Sequence, residues 1–174
     1  MIALDIDGTL LNYGDPTLCP PKVNVPLIRH LRDSHVRQVA LCTNQGGLPW
    51  GVAGSKCADG RNYPMPGQFV QRVRYCEAML RSFGGIVIGA IRVCVYHPAA
   101  PRCAIESAAQ QTRNWLAECG LLDISIVYTT ARARKPAPLM LRSVGATSYY
   151  GDDDCDEQAA LAAGIEFHRV ERFL

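Results

Sequence analysis

The sequence predicts an α/β protein built on a parallel sheet. Short apolar runs alternate along the chain with longer stretches of helical period, which is the pattern of strands joined by crossover helices. Polar clusters also recur just after the apolar runs, where a parallel sheet gathers its connections.

Taken in order, residues 2–5 form a first strand. Residues 24–34 suit a short helix, with Pro26 tolerated in its first turn. Residues 36–44 ("VRQVALCTN") are a second strand. Residues 67–84 carry Phe69, Val73, Cys76, Met79, Leu80 and Phe83 near helical spacing and read as helix. Residues 91–96 are a third strand, and 104–120 a helix closed by Gly120. A fourth strand spans 123–129, a short helix 137–145, and a fifth strand 148–152. A small-residue helix over 156–164 and a last strand over 165–170 complete the pattern. Residues 46–66, rich in glycine and proline, show no period and read as an irregular loop insertion. A loop of that length in a compact domain often serves as a lid or binding loop.

The 174 residues fit one domain, with 48% hydrophobic and 20% charged residues. A net charge of +2 neither announces nor excludes a nucleic-acid partner. The eight cysteines (Cys19, Cys42, Cys57, Cys76, Cys94, Cys103, Cys119 and Cys155) form no C-x-x-C pair, and several sit in apolar runs. They read as reduced thiols of a cytoplasmic protein. Asp5 comes too early for a signal sequence, and no apolar run is long enough to predict a membrane span.

Four clusters carry chemistry. In "ALDIDGTLLN", Asp5 and Asp7 lie at i and i+2 and point to one face of an extended segment before the Gly8-Thr9 turn. Like charges so placed call for a cation or a proton between them. Thr43-Asn44-Gln45-Gly46 ends the second strand with a hydroxyl, amides and exposed N–H groups suited to a phosphate oxygen. Lys135, held extended by Pro136, is a point charge for an anion, whereas Arg132 and Arg134 read as surface charges. Asp152, Asp153, Asp154, Asp156 and Glu157 exceed what helix capping requires. A divalent cation such as Mg²⁺, held by hard oxygen ligands, resolves their repulsion. Each cluster alone could be an ordinary turn or a solvated loop. All four lie at carboxyl ends of strands, so one shared site is the economical reading.

"DIDGT", "TNQGG", "RKP" and "GDDDCD" resemble, in order, the four motifs of the haloacid dehalogenase-like phosphohydrolases. The likeness is greatest to the branch of histidinol-phosphate phosphatases, heptose-bisphosphate phosphatases and polynucleotide 3′-phosphatases. The resemblance implies a Rossmann-like parallel sheet flanked by helices on both faces, with a minimal cap. It also implies that Asp5 is a nucleophile forming an aspartyl-phosphate and that Asp7 is the general acid–base. Thr43 and the Asn44 backbone would hold phosphoryl oxygens beside Gly8, and Lys135 would neutralise charge. Mg²⁺ would bind Asp5, the Asp7 carbonyl and Asp152, with Asp153 helping through water.

The implied activity is hydrolysis of a small phosphorylated metabolite. A polynucleotide 3′-phosphatase is the first alternative, with Arg29, Arg32, Arg37, Arg72, Arg74, Arg132 and Arg134 supplying charge and Trp50 and Tyr63 stacking bases. The second is a phospho-ligand-binding domain without catalysis. Several relatives hold zinc in a Cys/His loop; here Cys94, His97 and Cys103 offer three candidates and no fourth ligand. Neither the physiological substrate nor the oligomeric state is legible.

Overall fold

In the computed structural model, which describes residues 1–12, 21–60 and 62–171, six strands form one all-parallel sheet. They are β1 (Ile2–Leu4), β2 (Gln38–Asn44), β3 (Val87–Cys94), β4 (Ser125–Tyr128), β5 (Ser148–Gly151) and β6 (Glu166–Arg169). Their order is β4-β3-β2-β1-β5-β6. The register places Ala3 between Ala40 of β2 and Tyr149 of β5, so β1 lies mid-sheet. Cys19 lies outside the described residues.

Strand alternation separates two cores. Leu4, Val39, Leu41, Ile91 and Val93 face one side, and Ala3, Ala40, Cys42, Ala90, Cys94 and Tyr149 the other. Strands buried on both faces read as continuous apolar runs, which is why these segments are legible in the sequence. The first face carries large residues and packs against α1 (Val25–Asp33), α2 (Leu48–Val52), α3 (Pro66–Gly84) and α4 (Arg102–Glu118). The second is lined by small residues and is covered by α5 (Leu139–Ser143) and α6 (Asp154–Ala163). The fold is therefore the expected Rossmann-like α/β sheet with helices on both faces, and no second sheet forms among the described residues. No helix among them is long and apolar enough to cross a membrane.

Three expectations are corrected. β3 begins at Val87, not at residue 91, because the strand continues through Gly89. A Cβ on Gly89 would run into the side chain of Gln38, and the β2–β3 register shifts at Val39/Ala40, so the glycine marks a close approach rather than a turn. The segment 46–66 is not wholly irregular: it holds α2, with Pro49 in its first turn and Leu48 fully buried in the core, and a bridge between Lys56 and Asn62. That helix is fixed by tertiary packing, which leaves no periodic signal in so short a run. The start of the expected fourth strand is instead a 3-10 turn over Leu122–Ile124.

Candidate active site

The chain leaves β1 toward β2, β3 and β4, then returns across the sheet to β5 and β6. Where the direction reverses, neighbouring connections diverge and open a crevice outside the carboxyl edge. The cleft at this point is lined by Asp5 and Asp7 following β1, Thr43 and Asn44 of β2, and Lys135 after β4. Asp152, Asp153, Cys155 and Asp156 line it from the junction of β5 and α6. The residues to which the motifs give catalytic, phosphate-binding or metal roles (Asp5, Asp7, Thr43, Asn44, Lys135, Asp152 and Asp153) are gathered here, Gly8 lying against Asp152.

At the floor, Lys135 Nζ donates to Asp5 Oδ1 at 2.7 Å, to Asp156 Oδ1 at 2.5 Å and to the Tyr149 hydroxyl at 2.9 Å. The Tyr149 hydroxyl lies 3.1 Å from the Cys42 carbonyl and 2.9 Å from Asp156 Oδ1, either of which can accept its proton. All four side chains are buried, Asp5 at 5% exposure and Lys135 at 5%. Burial pushes the Asp5 carboxyl up to about 7 from 3.8, Lys135 opposing the shift and Asp156 and Asp7 adding to it. Burial by itself would lower the Lys135 ammonium, but Asp5, Tyr149 and Asp156 outweigh it and hold it well above the usual lysine value. The lysine therefore stays charged, and its position is set from behind. Asn44 Oδ1 accepts from the Lys135 backbone N–H at 3.0 Å, and Asn44 Nδ2 donates to the Lys135 carbonyl at 3.3 Å.

Asp152 closes the same pocket from β5. Thr9 Oγ1 donates to Asp152 Oδ1 at 3.3 Å, and Thr9 is itself fixed by Asn24 Nδ2 on its carbonyl at 3.0 Å. Gly8 turns the chain at φ +85°, a conformation that disfavours side chains. A Cβ there would also lie 2.6 Å from the Asp152 carboxyl carbon, so only glycine leaves room for this carboxylate. Carboxyl oxygens of Asp5, Asp152 and Asp156 lie within 4.8 Å of one another and could hold a metal ion. Five carboxyl groups line the cleft against the single lysine, an excess of negative charge that suits a hard divalent cation.

Asp156 joins Asp5 and Asp152 in the acidic group, an addition to the expected ligands. Asp7 is expected to contribute its carbonyl and Asp153 a contact through water, neither of which calls for a carboxyl oxygen in this group. Asp153 caps α6, its Oδ1 accepting from Cys155 N–H at 3.1 Å, while Asp156 Oδ2 accepts from the Asp153 N–H at 3.3 Å. The Asp7 carboxylate, at the wall of the cleft, is held by two donors: Oδ2 accepts from Gln45 Nε2 at 2.7 Å and Oδ1 from Arg72 Nη2. Gln45 Nε2 also donates to Thr43 Oγ1 at 3.1 Å, tying the second cluster to the first. Arg72 is thus no surface charge for a nucleic acid but a buried partner of Asp7.

Cys155 is not a competing nucleophile, since burial pushes its thiol up to about 11. Cys94, His97 and Cys103 form no ligand group among the described residues. The Cys94 thiol donates to the Thr130 carbonyl at 3.7 Å, His97 packs edge-on to Trp50, and Cys103 is exposed on α4. Arg134 is half-buried, its Nη1 donating to the Tyr96 carbonyl at 3.0 Å, rather than a plain surface charge.

Tyr149 is the site residue that no motif points to, although it stands beside the last cluster. Gln45 and Thr9 lie inside quoted clusters without a role of their own, and Arg72 is expected only as a charge for a nucleic acid. No family model matches this chain, and a search of curated proteins finds no match.

Proposed function

We propose that this chain is a Mg²⁺-dependent phosphomonoester hydrolase of the haloacid dehalogenase-like type, acting through an aspartyl-phosphate on Asp5. One observation carries the reading: an ammonium from residue 135 sits 2.7 Å from Asp5, with an Asp152 oxygen within 4.8 Å of the same carboxylate. Three segments far apart in the chain thus meet around one carboxyl group at the edge of the sheet where ligands bind. The order and wording of the four motifs support the same reading.

Asp5 and Asp152, with Asp156 beside them, would hold the ion. When bound, it supplies the charge neutralisation that lets a phosphate dianion approach a carboxylate. Asp5 needs no base to become nucleophilic once its proton is displaced. Its other neutralising charge, Lys135, is already in place. The Thr43 hydroxyl accepts from Gln45, which leaves its own hydrogen for a phosphoryl oxygen. Asp7 is set to exchange protons, first with the leaving oxygen and then with the water that releases phosphate. The chemistry is positioning and charge compensation.

A small phosphorylated metabolite is the proposed substrate class. Polynucleotide 3′-phosphatase is the second reading, and Trp50 and Tyr63 give it a specific basis: their rings lie 6.4 Å apart on the segment that follows Gln45. Free thiols at all seven described cysteines fit a reducing, cytoplasmic setting. The test is phosphate release from sugar phosphates, amino-alcohol phosphates, an aryl phosphate and a 3′-phosphorylated oligonucleotide, with Mg²⁺ and with EDTA. Mg²⁺-dependent release from the small esters supports the first reading, and a preference for the oligonucleotide supports the second. No release from any of them would leave a binding domain.

A further inference from the structure

Arg72 breaks the pattern of its own helix. Along α3 the buried residues Phe69, Val73, Cys76 and Leu80 form an apolar stripe toward the sheet, and Arg72 sits among them at 7% exposure. A buried guanidinium is ordinarily met by partners for its donors. Here Nη2 is bonded to Asp7 Oδ1, while Nη1 is buried with no hydrogen-bond partner among the described residues. A buried polar atom left unpaired calls for an explanation. For stability alone, an apolar side chain would fill this stripe as well.

What the arginine adds is the orientation of Asp7. One carboxylate oxygen is held by Arg72 from α3 and the other by Gln45 Nε2, at 2.7 Å, from the end of β2. Donors fixed on two separate elements leave the carboxyl plane one setting.

We propose that Arg72 is a positioning residue for Asp7, fixing with Gln45 the carboxyl group that exchanges protons during phosphomonoester hydrolysis. The inference rests on the functional reading above. In the first half of that reaction a carboxylate oxygen of Asp5 bonds to phosphorus, the bond to the leaving oxygen breaks, and the Asp7 proton passes to that oxygen. In the second half a water oxygen bonds to phosphorus, the bond to Asp5 breaks, and a proton of the water returns to Asp7. Arg72 touches no reacting atom and acts through Asp7 alone.

The leaving group separates this role from a structural one. The test compares kcat/KM for a primary alkyl phosphate and for 4-nitrophenyl phosphate in wild type, R72M, D7N and the R72M/D7N double variant, with Tm measured for each. Under saturating Mg²⁺, kcat/KM reports steps only through cleavage of the ester bond. Since general acid catalysis is worth about 10²–10⁴-fold, R72M is expected to lose about 10–100-fold on the alkyl ester and less than about 3-fold on the aryl ester, whose oxygen leaves unprotonated. Added to D7N, R72M should cost nothing further, because both act on one group. R72K, which keeps the charge, should recover part of the loss, and R72Q carries the comparison if R72M melts below the assay temperature. Equal losses on both esters, or losses that add to those of D7N, would overturn the assignment while leaving the functional reading intact. A wild-type protein inactive on both esters would overturn that reading and the assignment with it.

Discussion

Replacing Lys135 with methionine is the most informative single change to the folded site. It removes the ammonium bonded to Asp5 at 2.7 Å and to Asp156 at 2.5 Å, and leaves two carboxyl groups buried at 5% and 1% exposure. Breaking a buried ion pair by deleting one partner costs about 3–5 kcal/mol. Against a total stability of about 5–15 kcal/mol, that is about a fifth of the whole at the least. With a urea slope of about 2 kcal/mol per molar, the midpoint should fall by about 2 M. The deficit depends on pH, and its sign follows from Asp5. That carboxyl already stands at about 7 against an ordinary 3.8, and losing the opposing pull of Lys135 raises it further. A folded-state value above the unfolded one means the charged form is disfavoured on folding. Wild type and variant share this cost up to about 7, where the wild-type carboxyl becomes charged; above that the variant's cost goes on growing until its own higher value is passed. Urea unfolding in EDTA should therefore show a larger deficit for Lys135→Met at pH 8 than at pH 5, where the lost pairing with Asp156 is what remains. A deficit that is equal at both values, or missing at pH 8, would refute the placement of the lysine between two buried carboxylates.

Further expectations concern the turn, the ion and the tyrosine. Gly8→Ala combines a left-handed backbone with a Cβ inside the Asp152 carboxyl; the conformational part alone should cost about 1–2 kcal/mol, read as a fall in Tm, and Mg²⁺ binding measured by calorimetry should weaken at least tenfold. Unimpaired Mg²⁺ binding by that variant would contradict the role given to the turn. EDTA should abolish aryl phosphate hydrolysis and added Mg²⁺ restore it, while Mg²⁺ at 100 times its Kd should stabilise the wild type by about 2.7 kcal/mol. An unchanged Tm on adding the ion would speak against a cation at Asp5 and Asp152. Tyr149→Phe deletes a buried hydroxyl within bonding distance of Lys135, Asp156 and the Cys42 carbonyl, and should cost about 1–3 kcal/mol in urea unfolding. A neutral effect would mean the hydroxyl is not part of the network.

The architecture was readable because strands covered on both faces are apolar almost without interruption, as from Val39 to Cys42, and few other structures place such runs between helical periods. The site was readable where residues stand at strand ends, as Asp5, Thr43, Asn44 and Asp152 do, since the ends of parallel strands share one edge. Asp156 was harder. Among five acids in six positions, the one that joins the cluster is set by where α6 starts, and helix boundaries are the least legible feature of a sequence. With Asp153 as the cap, Asp156 falls one turn inside and points back toward the cleft. Arg72 is hard to place from the sequence for a related reason. Its neighbour Val73 satisfies the apolar period of α3, so a charge at position 72 reads as solvated until Asp7 is seen beside it. The helix of Leu48–Val52 left no periodic trace at all, because one buried leucine and a proline hold it in place.

The central claim is that carboxyl groups from the two halves of the sheet gather around one cation so that Asp5 can capture phosphorus. Its most direct test is acid-quenched peptide mass spectrometry of the protein mixed with an aryl phosphate and Mg²⁺. The account predicts a hydroxylamine-labile phosphoryl group on the peptide containing Asp5, lost with EDTA and absent from Asp5→Asn. Label on another residue, or turnover by the Asp5→Asn protein, would contradict it.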